Sequence, residues 1–297
     1  MPQPYTKVAL TFSDQLVLML SRGMNFADPT NAEPHLRRIG YYRLSAYSHP
    51  FRQPASDNFV IGTSFERVVE LYEFDRKLRL LLLDAIERVE IQVRTFVTYH
   101  VGHAFGAFGH TNSTNFSDTA KHSLWLQKLH DETGQSSETF VAHYKNKYDS
   151  YPDLPLWMAT ELMSVGSLSR MFSILRHSEQ AKIADEFSLR VPVFRSWLHT
   201  IVYVRNLCAH HARVWNRSLA ITPMIPRNDS RWVSPVRIRS DRLFVVLLVL
   251  RNLLRAHGGA GSWHSDVVAL LSPETANPQS ALVMGMPANW EKHSLWI

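Results

Sequence analysis

The chain has 297 residues, with 32 Lys and Arg against 26 Asp and Glu, 15 His and a single Cys. That length allows one large domain or two small ones, and 45% hydrophobic residues against 20% charged ones exclude a disordered chain. The lone Cys208 excludes an internal disulfide framework and a Cys-rich zinc module, and it suits a reducing cytoplasm.

The opening stretch, MPQPYTKVALTFSDQLVL, lacks the uninterrupted apolar core of a secretory signal. Ser13 is placed to cap a first helix, with Gln15 to Ser21 in its body and Gly23 as its stop. Asp28-Pro29-Thr30-Asn31 opens a second, which Gly40 closes. The aromatic, turn-rich run YYRLSAYSHPFRQPASDNF reads as irregular. From Ser64 the chain is periodic to His100, with Asp75 and Arg79, Asp84 and Arg88, and Glu90 and Arg94 at helix-supporting four-residue spacing. A polar segment from Gly102 to Tyr151 holds a short helix at 118–131. Pro155 opens another helical run, and Pro192 opens the run PVFRSWLHTIVYVRNLCAHHARVWNR. A loop of arginines and prolines leads to a last apolar helix near 240–256, where the run Leu243 to Leu250 is too short to cross a bilayer. No strand set is visible, so the expected fold is all-α, in a cytoplasmic protein with no membrane partner.

Charge is uneven. Between Arg190 and Arg255 stand 12 Arg, no Lys and two acids, Asp229 and Asp241, so this segment carries +10 and the rest of the chain −4 of the net +6. Guanidinium forks grip phosphate oxygens in pairs, which suits a phosphate-rich partner; a solvated basic surface is the alternative. With Val202 to Arg217 taken as one helix, at about 100° per residue, Arg205, Asn206, His210, Arg213 and Arg217 share a polar arc. His211 falls in the apolar arc, where it packs or makes a structural hydrogen bond. An imidazole near neutral pH moves protons, and a neighbouring arginine stabilises charge building on a phosphate. RNA carries its own nucleophile, the 2′-hydroxyl, so such a face cleaves it without a metal. One helix supplies one acid–base group, and a symmetric dimer supplies two.

Arg-to-His spacing alone selects nothing, since Arg43 with His49, Arg94 with His100, Arg170 with His177 and Arg251 with His257 match as well. The 205–210 pair is singled out by its two-sided helix and further arginines, whereas His257 stands before Gly258-Gly259 at a fraying helix end.

VRNLCAHHARVWNR resembles the signature of the Abi-like (abortive infection) bacterial proteins, a branch of the HEPN superfamily of helical ribonucleases. LTFSDQLVLMLSRGM is similar to that family's first helix and RRIGYYRLSAYSHPFR to its aromatic N-terminal motif. FDRKLRLLLLDAIERVEIQVR, PLWMATELMSVGSLSRMF and GMPANWEKHSLW agree too, so the likeness runs from about residue 10 to the C-terminus. Ala46 departs from it, standing where the family often has Gly. The resemblance implies a HEPN-like helical bundle over 61–258, with an N-terminal extension over 1–60 packed on it and a tail over 259–297 in the same globule. It also implies a homodimer and a cofactor-free endoribonuclease site built from two copies of Arg205, Asn206 and His210, in phage defence or as a toxin held by an antitoxin protein or RNA.

In that frame His210 is the general acid or base, its alternative being a capping or buried histidine. Arg205 binds the scissile phosphate, or else pairs with an acid on the 64–100 helix. Asn206 orients the imidazole or holds a backbone carbonyl. Arg213 and Arg217 touch substrate phosphates or are surface charge, and Glu90 supports an active-site Arg or His or simply pairs with Arg94. Tyr41, Tyr42, Arg43 and Tyr47 stack RNA bases, with Tyr42 and Arg43 as the binding pair, or pack as core or lid. Trp157, Trp197 and Trp215 read as core. His100, His103, His110 and His122 lack the spacing of a catalytic metal helix, so no metal is expected. A non-catalytic RNA- or nucleotide-binding regulatory module is the competing function, and a protein-interaction subunit is a third.

Overall fold

The computed structural model describes residues 4–226, 228–233, 236–259 and 261–297. Among them are thirteen α-helices, joined by turns and short 3₁₀ segments, and no strand beyond isolated bridges. The fold is all-α. The chain divides into two compact units, Met1–Arg79 and Leu80–Ile297.

The first unit holds α1 (Phe12–Ser21), α2 (Pro29–Ile39), α3 (Tyr41–Ser48) and the start of α4 (Phe65–Phe105). α1 starts before Ser13: the cap is Thr11, whose side chain accepts from the Asp14 amide. That satisfies one of the orphan donors of a helix start. α3 replaces the irregular segment expected from its aromatics. Gly40, at a φ of 90° that only glycine adopts freely, closes α2 and admits α3 directly. Met19, Leu36, Leu44, Phe65 and Leu71 form the core here. Within it, Tyr47 donates to Asp75 at 2.6 Å, while Arg79 pairs with Asp75 and donates to Tyr47 at 3.1 Å. Burial and the Asp75 charge raise the Tyr47 phenol above its ordinary range. The Asp75–Arg79 pair read from the sequence as helix-surface support is therefore part of a buried triad instead.

The second unit takes the rest of α4, which presents Leu82, Ala85, Val89, Val93, Val97 and Val101 as one buried stripe. Arg88 reaches Asp84 at 3.0 Å and Arg94 reaches Glu90 at 2.7 Å. There follow α5 (Thr119–Gln135), α6 (Thr139–Lys147), α7 (Leu156–Leu162), α8 (Val165–Ile174), α9 (His177–Asp185), α10 (Val191–Ala209), α11 (Leu243–Ala256), α12 (Trp263–Thr275) and α13 (Pro278–Val283). α10 packs on α8, α9 and α11, burying Val193, Phe194, Trp197, Leu198, Ile201, Val204 and Cys208 at helical spacing. α11 is buried on nearly every side. Residues after α13 join this core through Trp290 and Trp296, both buried. Among the described residues, no helix is long and apolar enough to cross a membrane.

Candidate active site

α10 stops sooner than its sequence pattern indicates. The expected helix to Arg217 ends at Ala209, and His210 is the residue that caps it. The Ala212 amide donates to Leu207 O at 2.8 Å and the His211 amide to Cys208 O at 3.0 Å. This double bond pattern closes a helix with a left-handed residue, usually glycine, just past the cap. His211 occupies that place at φ 56°. A non-glycine residue there is strained by about 1–2 kcal/mol. Buried Cys208 on one side and buried Val214 and Trp215 on the other hold the reversal in place.

The early stop changes where the candidate residues stand. Arg205 and Asn206 lie on the outward side of the last turns, half-buried and exposed respectively, and His210 is exposed at the tip. Arg205 Nη1 donates to Asn206 Oδ1 at a long 3.4 Å. Arg205 makes no ion pair among the described residues, so the expected alternative of a bridge to α4 is not taken. The Asn206 carbonyl accepts the His210 amide at 3.0 Å, which fixes the histidine backbone one turn above the asparagine. His211 is exposed, not packed in an apolar arc.

Arg213 and Arg217 leave the shared helical arc, because no helix runs through them. Arg213 donates to Asn216 O at 3.4 Å and lies over the Trp215 ring, 6.0 Å from its centroid; Arg217 Nε donates to Arg213 O at 2.7 Å. Both guanidiniums brace the loop that follows the cap. Asp229 pairs with Arg231, and Asp241 pairs with Arg239 and Arg242, so the two acids of the arginine block are engaged inside it.

Glu90 pairs with Arg94, whose Nη2 also donates to Met163 O at 3.0 Å. In the first unit, Tyr42 is 90% exposed and Arg43 is exposed, whereas Tyr47 is buried and Tyr41 accepts from Arg22 at 3.2 Å. The aromatic cluster thus divides into a packed half and an open half. Trp197 and Trp215 are core, as expected. Trp157 is not: it is 53% exposed. No sequence signal marks this, since α7 is too short for a periodic pattern to set its open face.

Three of the four histidines weighed as metal ligands have local hydrogen-bond partners. His100 Nε2 lies 2.7 Å from Glu186, His103 Nδ1 lies 2.7 Å from Tyr99 O, and His122 Nε2 lies 2.8 Å from His110 O. Burial lowers His110 to about 4. Among the described residues, no three His, Cys, Asp or Glu side chains converge as ligands for a metal.

A family model described as Abi-like protein matches residues 34–216, a span that runs from within α2 through α10 and into the loop after the cap. No curated protein and no solved structure matches the chain.

Proposed function

The chain belongs to the Abi-like family, and on that premise we propose that it is a metal-independent endoribonuclease of the HEPN kind, serving abortive-infection defence or acting as a restrained toxin in the cytoplasm. The observation that carries this reading is the end of α10, where an exposed histidine stands one turn above an asparagine whose side chain accepts from an arginine with no acidic partner among the described residues. His210 takes the proton from a ribose 2′-hydroxyl, whose oxygen then bonds to the adjacent phosphorus. Arg205 stabilises the charge on the phosphorane oxygens, and the P–O5′ bond breaks as its oxygen receives a proton. The products are a 2′,3′-cyclic phosphate and a free 5′-hydroxyl. A single His210 cannot stand on both sides of the phosphorus, so the second proton transfer belongs to the His210 of a second copy in a twofold dimer. Asn206 orients the imidazole or bonds a phosphate oxygen. Arg213 and Arg217 keep the cap loop in shape and add positive charge for the strand. Tyr42 and Arg43 offer a further open contact for RNA.

The test is incubation of the purified protein with RNA in chelator. Cyclic phosphate ends formed by the wild type and lost in a folded His210→Ala variant support the reading. Full-strength RNA binding with no cutting assigns the non-catalytic RNA-binding module instead. Growth arrest on induction, relieved by Arg205→Ala, ties the chemistry to defence, and a co-purifying antitoxin would account for restraint.

A further inference from the structure

Two stretches of the second unit turn side chains toward one another. Ile91, Arg94 and Tyr99 fall on one side of α4 at steps of three to five residues, and Trp157 and Glu161 stand one turn apart on α7. Between them is a cleft of about 720 Å³, within the range of pockets that take small organic groups. Its walls are unlike ordinary surface: Tyr99 is 56% exposed, with Ile91 and Trp157 open to a similar degree.

We propose that this cleft binds an unpaired base of RNA, a purine by preference. Open aromatic rings provide flat faces on which a base stacks, and a two-ring purine covers more of them than a pyrimidine. The polar groups suit a base edge. Arg94 is anchored through Nη2 by Glu90 and Met163 O, which leaves its Nη1 buried with no hydrogen-bond partner among the described residues. The anchored guanidinium gives the cleft wall a fixed positive edge, toward which an acceptor such as N7 can turn. Glu161 makes no ion pair among the described residues and is a ready acceptor for an amino or imino group. Purine edges carry both kinds of group. A phosphate fits less well, because the Arg94 charge is already matched by Glu90.

The cleft is connected to the helix of the candidate active site through the start of α8. Arg94 binds the carbonyl of Met163 at the α7–α8 junction. Three residues on, a Cβ placed on Gly166 would stand 3.7 Å from Val202 of α10. Val202 precedes Arg205 and Asn206 by three and four residues, on the same side of that helix. The inference rests on RNA being the partner, and it adds a base preference to that reading.

Equilibrium binding in chelator decides it, with 2′-O-methyl oligouridylate that cannot be cut and the same strand carrying one central adenosine or guanosine. Wild type should bind a purine-containing strand about tenfold more tightly. Trp157→Ala should erase the difference, Trp157→Phe should keep most of it, and Glu161→Gln should change the ranking of adenosine and guanosine. Equal affinity for all strands, no binding of any strand, or discrimination that survives Trp157→Ala overturns the inference. Light scattering is the companion measurement: an oligomer that Trp157→Ala splits into single chains makes the cleft a chain-to-chain contact and refutes the base site. Purine preference without any cleavage of natural RNA would leave the base site standing and remove the nuclease reading; cleavage with no preference would do the reverse.

Discussion

α10 and α11 end on nearly the same words. Arg205-Asn206 precedes His210, and Arg251-Asn252 precedes His257; each histidine is the first residue beyond its helix. Position at a helix end therefore does not separate them, although in the sequence it is the ground for setting His257 aside. Their neighbours separate them. Arg251 Nε donates to Trp296 O at 3.1 Å, Arg255 donates to Ile297 O at 2.6 Å, and the His257 ring lies 4.6 Å from Phe96 and 5.6 Å from Phe187. The α11 copy has its arginine and histidine side chains engaged with other parts of the fold, although His257 is itself exposed. In α10 the arginine has one long contact inside its own helix. An Arg-Asn-His pattern is available for chemistry only where its side chains lack structural partners.

The sharpest way to break that comparison is a pair of histidine variants. His210→Ala should lower RNA cleavage by roughly 10²–10⁴-fold, while His257→Ala leaves the rate per folded molecule within about twofold; equal losses measured by end-labelled cleavage would erase the distinction. The arginines should divide in the same way. Arg205→Ala should cost roughly 10²–10³-fold in cleavage with an unchanged melting curve. Arg251→Ala, which removes a charged hydrogen bond to a buried carbonyl region, should cost about 2 kcal/mol in urea unfolding and spare activity.

A third imidazole extends the contrast to a wholly enclosed one. Burial holds His110 at about 4, against an ordinary 6.5, with the Asp153 charge opposing and His122 and His130 adding to the shift. Between these values the unfolded chain binds a proton that the folded chain does not. The stabilising contribution is complete above pH 6.5 and falls away toward pH 4, by about 3 kcal/mol. Unfolding free energies at pH 7 and 4.5 should differ less in His110→Gln than in wild type; identical slopes would refute the assignment. The smallest effect concerns the cap. His211→Val should cost about 1 kcal/mol or more, since a β-branched residue resists a positive φ, and His211→Gly should be tolerated. Thermal melts rank the two.

Much of this was legible beforehand where a pattern repeats. α4 declares itself through a long apolar stripe and three acid–base pairs at four-residue spacing, and α11 through its apolar run. Short helices such as α3, α6, α9 and α13 hold too few turns for periodicity to stand out, and their existence depends on packing. The stop after Ala209 was not legible for a different reason. The residue in the left-handed position is His211, and nothing in RNLCAHHARVWNR marks a break that glycine would have signalled. The open face of Trp157 was hidden likewise: a tryptophan within an apolar run reads as buried until its neighbours are placed. Arg205, Asn206 and His210 can be proposed from sequence because they stand within six residues of one another. Arg94, Tyr99 and Glu161 meet across two helices and left no local trace.

The reversed chain at His211 has one more effect. Because three backbone bonds and buried flanks clamp residues 207–212, the imidazole of His210 rides on a rigid mount and retains only its two side-chain torsions. On the proposed nuclease reading, a substrate arriving there would have little disorder left to quench, and more of the encounter energy would remain to lower the reaction barrier. Loosening the mount, even with the ring intact, should therefore slow turnover while leaving RNA affinity nearly the same.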